Sequence, residues 1–342
     1  MKNLMQSLSI LCVGILVLVS CNKENGTEIP SEDFYTVEVK LGGEISIGYE
    51  PLTKSSSNDL YAIQVYSTPD IELEDGEEPV WTPYAQYYSI GSAPTTITLV
   101  YGYKYSFMAD LIIDGNNKLS ITLRDSQGCA PWLLVSSSDY DAAQCHALVS
   151  SDSFQYCTEH LITIAGSAVL LGENGDYYTR PNIDRYLGKL DNFVPSVDNK
   201  TVNIAMKRVS FGAKFVFSGD SATSGTIGIE IDGAPKQTLV LSENPDDNVH
   251  FDIYTFARIS SGISNEYTET IPVKLSWTRT DGTVDTIGQF DIVYQRNTTT
   301  VVTVQLDDDI EGSMGINIPE SESGTMLEPG TNDVTIIDGE IQ

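Results

Sequence analysis

Val202-Asn203-Ile204-Ala205-Met206-Lys207-Arg208-Val209-Ser210-Phe211-Gly212-Ala213-Lys214-Phe215-Val216-Phe217 is the stretch from which the fold can be read. Apolar side chains fall at 202, 204 and 206, and again at 213, 215 and 217. A period of two sends alternate side chains to opposite faces of an extended chain, so each run reads as a strand with one face for a core. A helix would need apolar residues at spacings of three and four.

The same period recurs on both sides. Upstream, Val37, Val39 and Leu41 alternate with Thr36, Glu38 and Lys40, followed by runs at 45–49, 61–66, 95–100, 105–111 and 119–123. Downstream lie 227–231, 273–277, 290–294 and 301–306. Asp114-Gly115, Asp232-Gly233 and Asp281-Gly282 supply turn chemistry between runs. Helical pattern is scarce, with residues 139–148 and 181–190 (opened by Pro181) as the candidates. Many short strands with regular turns predict an all-β chain of sandwich type, and 342 residues ask for two such domains in tandem. The polar stretch Val197-Asp198-Asn199-Lys200 places the join, giving domains at 34–198 and 199–308. Residues 309–342 form an acidic tail with a short terminal strand at 334–341, in which Val334, Ile336 and Ile337 stand out. Residues 69–79 carry six carboxylates and no base, a solvated hairpin loop without the spacing of a calcium loop.

The N-terminus reads as an address. Lys2 precedes an apolar run from Leu8 to Val19, the size of a secretory h-region and short for a membrane span of about 20 residues. It ends in Leu18-Val19-Ser20-Cys21, which resembles a lipobox. Residues 1–20 are then a lipoprotein signal peptide, Cys21 carries palmitate-type acyl chains, and 21–33 is a tether. Two or more chains anchor a protein firmly, so the expected partner is a membrane held through lipid. The protein is then expected to be anchored at Cys21 and otherwise soluble outside the inner membrane. Cys129, Cys145 and Cys157 remain for an oxidising compartment, and Cys145–Cys157 is the simplest pair to close. Cys145, His146, Cys157 and His160 are also potential zinc ligands, but exported thiols usually oxidise before they find metal, so no metal is expected.

Forty-eight acidic against 19 basic residues leave a net charge of −29, which repels nucleic-acid phosphates and anionic headgroups. No nucleophile elbow, zinc helix or phosphate loop occurs, so neither an enzyme nor a cofactor is expected. The tyrosines suit half-buried strands with a wet face, but exposed rings such as those among Tyr84, Tyr87, Tyr88, Tyr101, Tyr103 and Tyr105 also stack on sugars. A glycan-binding surface lipoprotein of a polysaccharide-utilisation system is therefore the alternative function.

Several stretches resemble the fimbrillin family, the subunits and accessory lipoproteins of type V pili in Gram-negative anaerobes. They are the lipobox, Lys54 within Pro51-Leu52-Thr53-Lys54-Ser55-Ser56-Ser57, the strand 59–66, the basic pair Lys207-Arg208 ahead of an apolar run, and Tyr294-Gln295-Arg296-Asn297 before a final strand. The resemblance implies two transthyretin-like β-sandwich domains and a non-enzymatic role in cell adhesion or pilus assembly. It further implies proteolytic maturation after a basic residue, here Lys54, and insertion of a C-terminal strand, here around Val334, Ile336 and Ile337, into the groove of another pilus subunit. The family usually has arginine at the maturation site. Polymerising subunit, anchor and accessory protein all stay open.

Overall fold

A computed structural model describes residues 34–44, 58–115, 154–156, 170–171, 177–258, 263–306, 314–315, 331–338 and 340–341. The first half contributes β1 (Phe34–Gly43), β2 (Leu60–Pro69), β3 (Thr82–Ile90), β4 (Thr96–Val100), β5 (Tyr103–Ile113), β6 (Gln155–Tyr156), β7 (Leu170–Leu171), β8 (Tyr177–Tyr178) and β9 (Asp184–Phe193). Then come β10 (Thr201–Arg208), β11 (Ser210–Ser218), β12 (Thr226–Ile231), β13 (Gln237–Val240), β14 (Val249–Thr255), β15 (Thr268–Thr278), β16 (Val284–Gln295) and β17 (Thr299–Gln305). The C-terminal segment holds β18 (Met314–Gly315), β19 (Thr331–Asp338) and β20 (Glu340–Ile341). Among the described residues helix is confined to a short 3₁₀ turn at Pro245–Asp247 and the single residues Glu44 and Gly115, so the fold is all-β as expected.

Eight strands make one sheet in the order β4-β1-β10-β9-β5-β2-β3-β6. It curls until its ends meet. Tyr156 of β6 accepts from the Thr98 amide of β4 at 3.0 Å and donates to the Thr98 carbonyl at 3.3 Å, while the Tyr84 hydroxyl of β3 donates to the same carbonyl at 2.8 Å. Tyrosine hydroxyls thus satisfy the outward backbone groups of an edge strand that would otherwise invite pairing. Inside the curl, Val37, Val39, Leu99, Val202 and Ile204 from one arm pack with Tyr61, Ile63, Phe107 and Leu111 from the other.

The second half is a two-layer sandwich. One layer runs β14-β11-β17-β19-β18 with β20 beside β19, and the other runs β13-β12-β15-β16. Phe211, Phe215, Phe217 and Val302 face Ile229, Val273, Leu275 and Phe290 in a shared core. The Asp281-Gly282 turn closes the β15–β16 hairpin, with Gly282 at φ +89° and the Arg279 amide donating to Thr283 O at 2.8 Å.

The runs expected around 35–41, 61–66, 95–100, 105–111, 202–206, 213–217, 227–231, 273–277, 290–294 and 301–306 are all strands. The helix expected over 181–190 is instead strand β9. Its residues Asp184 to Gly188 are buried without alternation because both faces are covered: Tyr186 joins the first core and Leu187 the second. A strand covered on both faces loses the period that would identify it. The strand at 201–208, read from sequence as opening the second domain, hydrogen-bonds between β1 and β9 in the first sheet, and the change of sheet comes at Val209. The segments 45–49, 119–123 and 139–148 lie outside the described residues. The acidic segment 70–78 is exposed between β2 and β3.

Candidate functional site

Strand β1 is the N-terminal strand of the described chain and an interior strand of its sheet. It pairs antiparallel with β4 from Phe34 to Glu38 and parallel with β10 from Glu38 to Gly43. Tyr35, Val37 and Val39 point inward and are buried, each worth about 2 kcal/mol of apolar burial. Phe34, Thr36, Glu38 and Lys40 point out. The strand ends at Gly43, whose φ of +82° favours glycine and whose added Cβ would lie 2.7 Å from the Met206 carbonyl.

Glu44 follows at once and is held from the other half of the molecule. Arg296, one residue beyond β16, donates from Nη1 to Glu44 Oε2 at 2.7 Å and from Nη2 to Oε1 at 2.8 Å. The Arg208 amide donates to Glu44 Oε2 at 2.8 Å. Arg296 also donates from Nη1 to Arg208 O, from Nε to Ser264 O and from Nη2 to Asn265 Oδ1, and its side chain is only 2% exposed. Burial would raise the Glu44 pKa, but hydrogen bonds from Arg296 and the Arg208 amide, with the charges of Arg296 and Lys207, hold it below the ordinary 4.5.

Two further guanidinium–carboxylate pairs flank this latch. Arg185 on β9 grips Asp110 on β5 through Nε at 3.0 Å and Nη2 at 2.6 Å, both side chains essentially buried. Arg208 on β10 grips Asp184 on β9 through Nε at 2.7 Å and Nη2 at 2.6 Å. Bidentate pairing of this kind is the arrangement in which a buried charge is tolerated. In a chain with only 19 basic residues, several arginines are thus spent inside the junction between the halves. Lys207 joins them, its Nζ donating to Ile263 O at 3.0 Å. Lys207-Arg208 and Arg296 were visible in the sequence as a basic pair and an isolated base, without any sign of their partners.

The terminal strand around Val334, Ile336 and Ile337 is β19, lying parallel to β17 with Val334 opposite Val302 and Ile336 opposite Val304. Cys21, Lys54, Cys145 and Cys157 lie outside the described residues. Among the described residues no three His, Cys, Asp or Glu side chains converge as a metal site. His250 pairs with Asp252, two residues along β14, at 3.0 Å.

Most of the tyrosines weighed for sugar stacking serve the first sheet. Tyr105 is buried and bridges both backbone groups of Val100, and Tyr87 donates to Ser92 O at 3.2 Å. Tyr84 packs edge-on against Tyr105 and Tyr156, and burial with the neighbouring Tyr156 pushes its pKa up to about 12. Exposed rings gather where β1 begins: Phe34, Tyr101 and Tyr103, with Tyr101 6.3 Å from the Tyr35 ring.

No family model matches the chain, and no curated protein does. Solved structures do. A Bacteroides eggerthii protein proposed to act in cell adhesion is 14% identical at a TM-score of 0.36, the match covering 93% of this chain and 100% of that one. The tip fimbrial protein Mfa3 of Porphyromonas gingivalis is 11% identical at 0.29, covering 81% and 95%. A Bacteroides thetaiotaomicron protein proposed to bind polysaccharide is 11% identical at 0.33, covering 76% and 80%.

Proposed function

We propose that this chain is a non-enzymatic, fimbrillin-like surface lipoprotein, anchored at Cys21 in the outer membrane, that serves adhesion or pilus assembly through strand exchange. The observation that carries the reading is the position of β1. It precedes Lys54, the expected maturation residue, and it is an inserted strand whose loss would unpair both β4 and β10 and uncover the sites of Tyr35, Val37 and Val39. An extended segment of another subunit is the natural occupant of such a slot. β19 fits the donor role, since it sits at β17 as a late parallel addition rather than within the sandwich hairpins. In this reading the chain has two domains in tandem, and no metal or cofactor takes part.

Cleavage at Lys54 tests it. The nicked protein should form SDS-resistant oligomers that disappear when residues 333–342 are deleted. A nicked protein that stays monomeric at high concentration rejects self-polymerisation. The exposed rings of Phe34, Tyr101 and Tyr103 favour a second reading, glycan binding at the β4–β5 turn. Unchanged glycan-array signals after Tyr101→Ala would reject that alternative.

A further inference from the structure

We propose that Arg296, together with the Arg208 amide, is a carboxylate-reading subsite at the end of the β1 slot, selecting as occupant an extended peptide segment that carries a glycine followed at once by an acidic residue. The proposal rests on the strand-exchange reading above and adds what the slot selects.

The geometry argues for a receptor that outlasts its ligand. Arg296 is fixed by Arg208 O, Ser264 O and Asn265 Oδ1, none of which belongs to β1. When residues 34–54 depart, Glu44 departs with them, while the groups that fix the guanidinium belong to the part of the chain that stays. What is lost is the only carboxylate hydrogen-bonded to Arg296 among the described residues. The neighbouring carboxylates cannot replace it, because Asp110 is gripped by Arg185 and Asp184 by Arg208. Lys207 sits beside the vacancy with its ammonium on Ile263 O and adds positive charge. A buried cation without a counter-charge is costly, so an occupant that restores the carboxylate is favoured over one that merely fills the apolar pockets.

The preceding position is selective in a different way. The chain must leave the sheet at a positive φ, with a Cβ there meeting the Met206 carbonyl and amide at 2.7 and 3.0 Å. Glycine is the residue that meets both conditions. The pockets of Tyr35, Val37 and Val39 accept many apolar strands, whereas the Gly-acid end is a narrow requirement. Arg296 is therefore a specificity-determining residue for whatever strand occupies the slot.

The test uses the full chain with a sequence-specific protease site at Lys54, cut and then offered fluorescent peptides of residues 34–44. The native peptide should exchange into the cut chain, and Glu44→Gln and Gly43→Ala peptides should each bind about tenfold or more weakly. On an Arg296→Gln chain, the native and Glu44→Gln peptides should bind within about twofold of each other. Equal binding of native and Glu44→Gln peptides to the unmodified chain overturns the subsite and leaves strand exchange standing. No exchange of the native peptide, with the strand released by urea and then restored to buffer, overturns strand exchange and the subsite with it. The peptide comparison needs no change at Arg296, so a misfolded Arg296→Gln chain does not remove the test.

Discussion

The two terminal strands, β1 and β19, solve the same problem to different depths. Each lies parallel to a strand of its own half, β1 on β10 and β19 on β17, and a parallel neighbour cannot be reached by a simple hairpin. β1 is flanked on both sides by strands of the first sheet, buries three large side chains, and is latched by Glu44 to a base 252 residues away. β19 has β17 on one side and only the two-residue β18 on the other, with β20 folded back on it. The first strand is part of a core. The last is an addition to a sandwich whose hairpins close without it.

A charge in the β1 pocket should break the comparison most violently. Val37 is fully buried, so Val37→Asp places an unpaired carboxylate in the first core and should cost about 4 kcal/mol in urea unfolding. A loss below about 1 kcal/mol would mean that β1 is peripheral.

Glu44→Gln comes next, at about 2 kcal/mol, because it leaves Arg296 buried opposite a neutral amide. The acid limb separates this latch from the rest of the fold. Glu44 has a lowered folded pKa, so its contribution is present above the ordinary 4.5 and is lost as pH falls through the lower folded value. The groups facing it are Arg296, Lys207 and the Arg208 amide. The stability gap between the native chain and Glu44→Gln should therefore be constant near neutrality and close below pH 4.5. A gap that persists to pH 2 would show that the carboxylate's charge is not what holds the strand.

Deleting residues 331–342 should cost less, about 1 kcal/mol, since a terminal strand with one long partner, β17, and otherwise only two-residue strands belongs to the weakest tier of a fold. Hydrogen exchange sharpens the point, with β19 amides losing protection well before those of β1. Equal protection of the two strands would erase the distinction between them.

Much of this architecture was legible in the residues because its strands keep one face wet. Val37, Val39 and Leu41, or Val273, Leu275 and Trp277, alternate since only one side is packed. β9 was not legible, because Tyr186 and Leu187 enter different cores and the contrast between faces vanishes. The sheet to which 201–208 belongs was not legible either, since alternation names a strand without naming its neighbours. The latch lay deepest. Glu44, Arg208 and Arg296 are ordinary charged residues until the fold brings them together across the chain, and the one available signal was the scarcity of arginine in so acidic a sequence.

The smallest expected effect tests how the first sheet protects its outer edge, next to β1 itself. Thr36 and Thr98 face each other across β1 and β4, and Thr98 turns its amide and carbonyl outward to the Tyr156 hydroxyl. Tyr156→Phe keeps the ring, and with it the edge-on contact to Tyr84 at 5.5 Å, while removing that hydroxyl alone. The Tyr156 ring is more than half exposed, so water replaces part of what is lost, and the carbonyl of Thr98 keeps its bond from Tyr84. Net stability should fall by only about 0.5 kcal/mol. The freed amide, however, becomes an unpaired donor on an edge strand, the feature that invites pairing between molecules. Tyr156→Phe should therefore alter self-association more than unfolding: sedimentation at high concentration should detect weak dimers with the N-terminal strand still in place. If the variant loses more than about 2 kcal/mol and stays monomeric, the hydroxyl belongs to the core rather than to the protection of the edge, and the closure of the sheet would rest on Tyr84 instead.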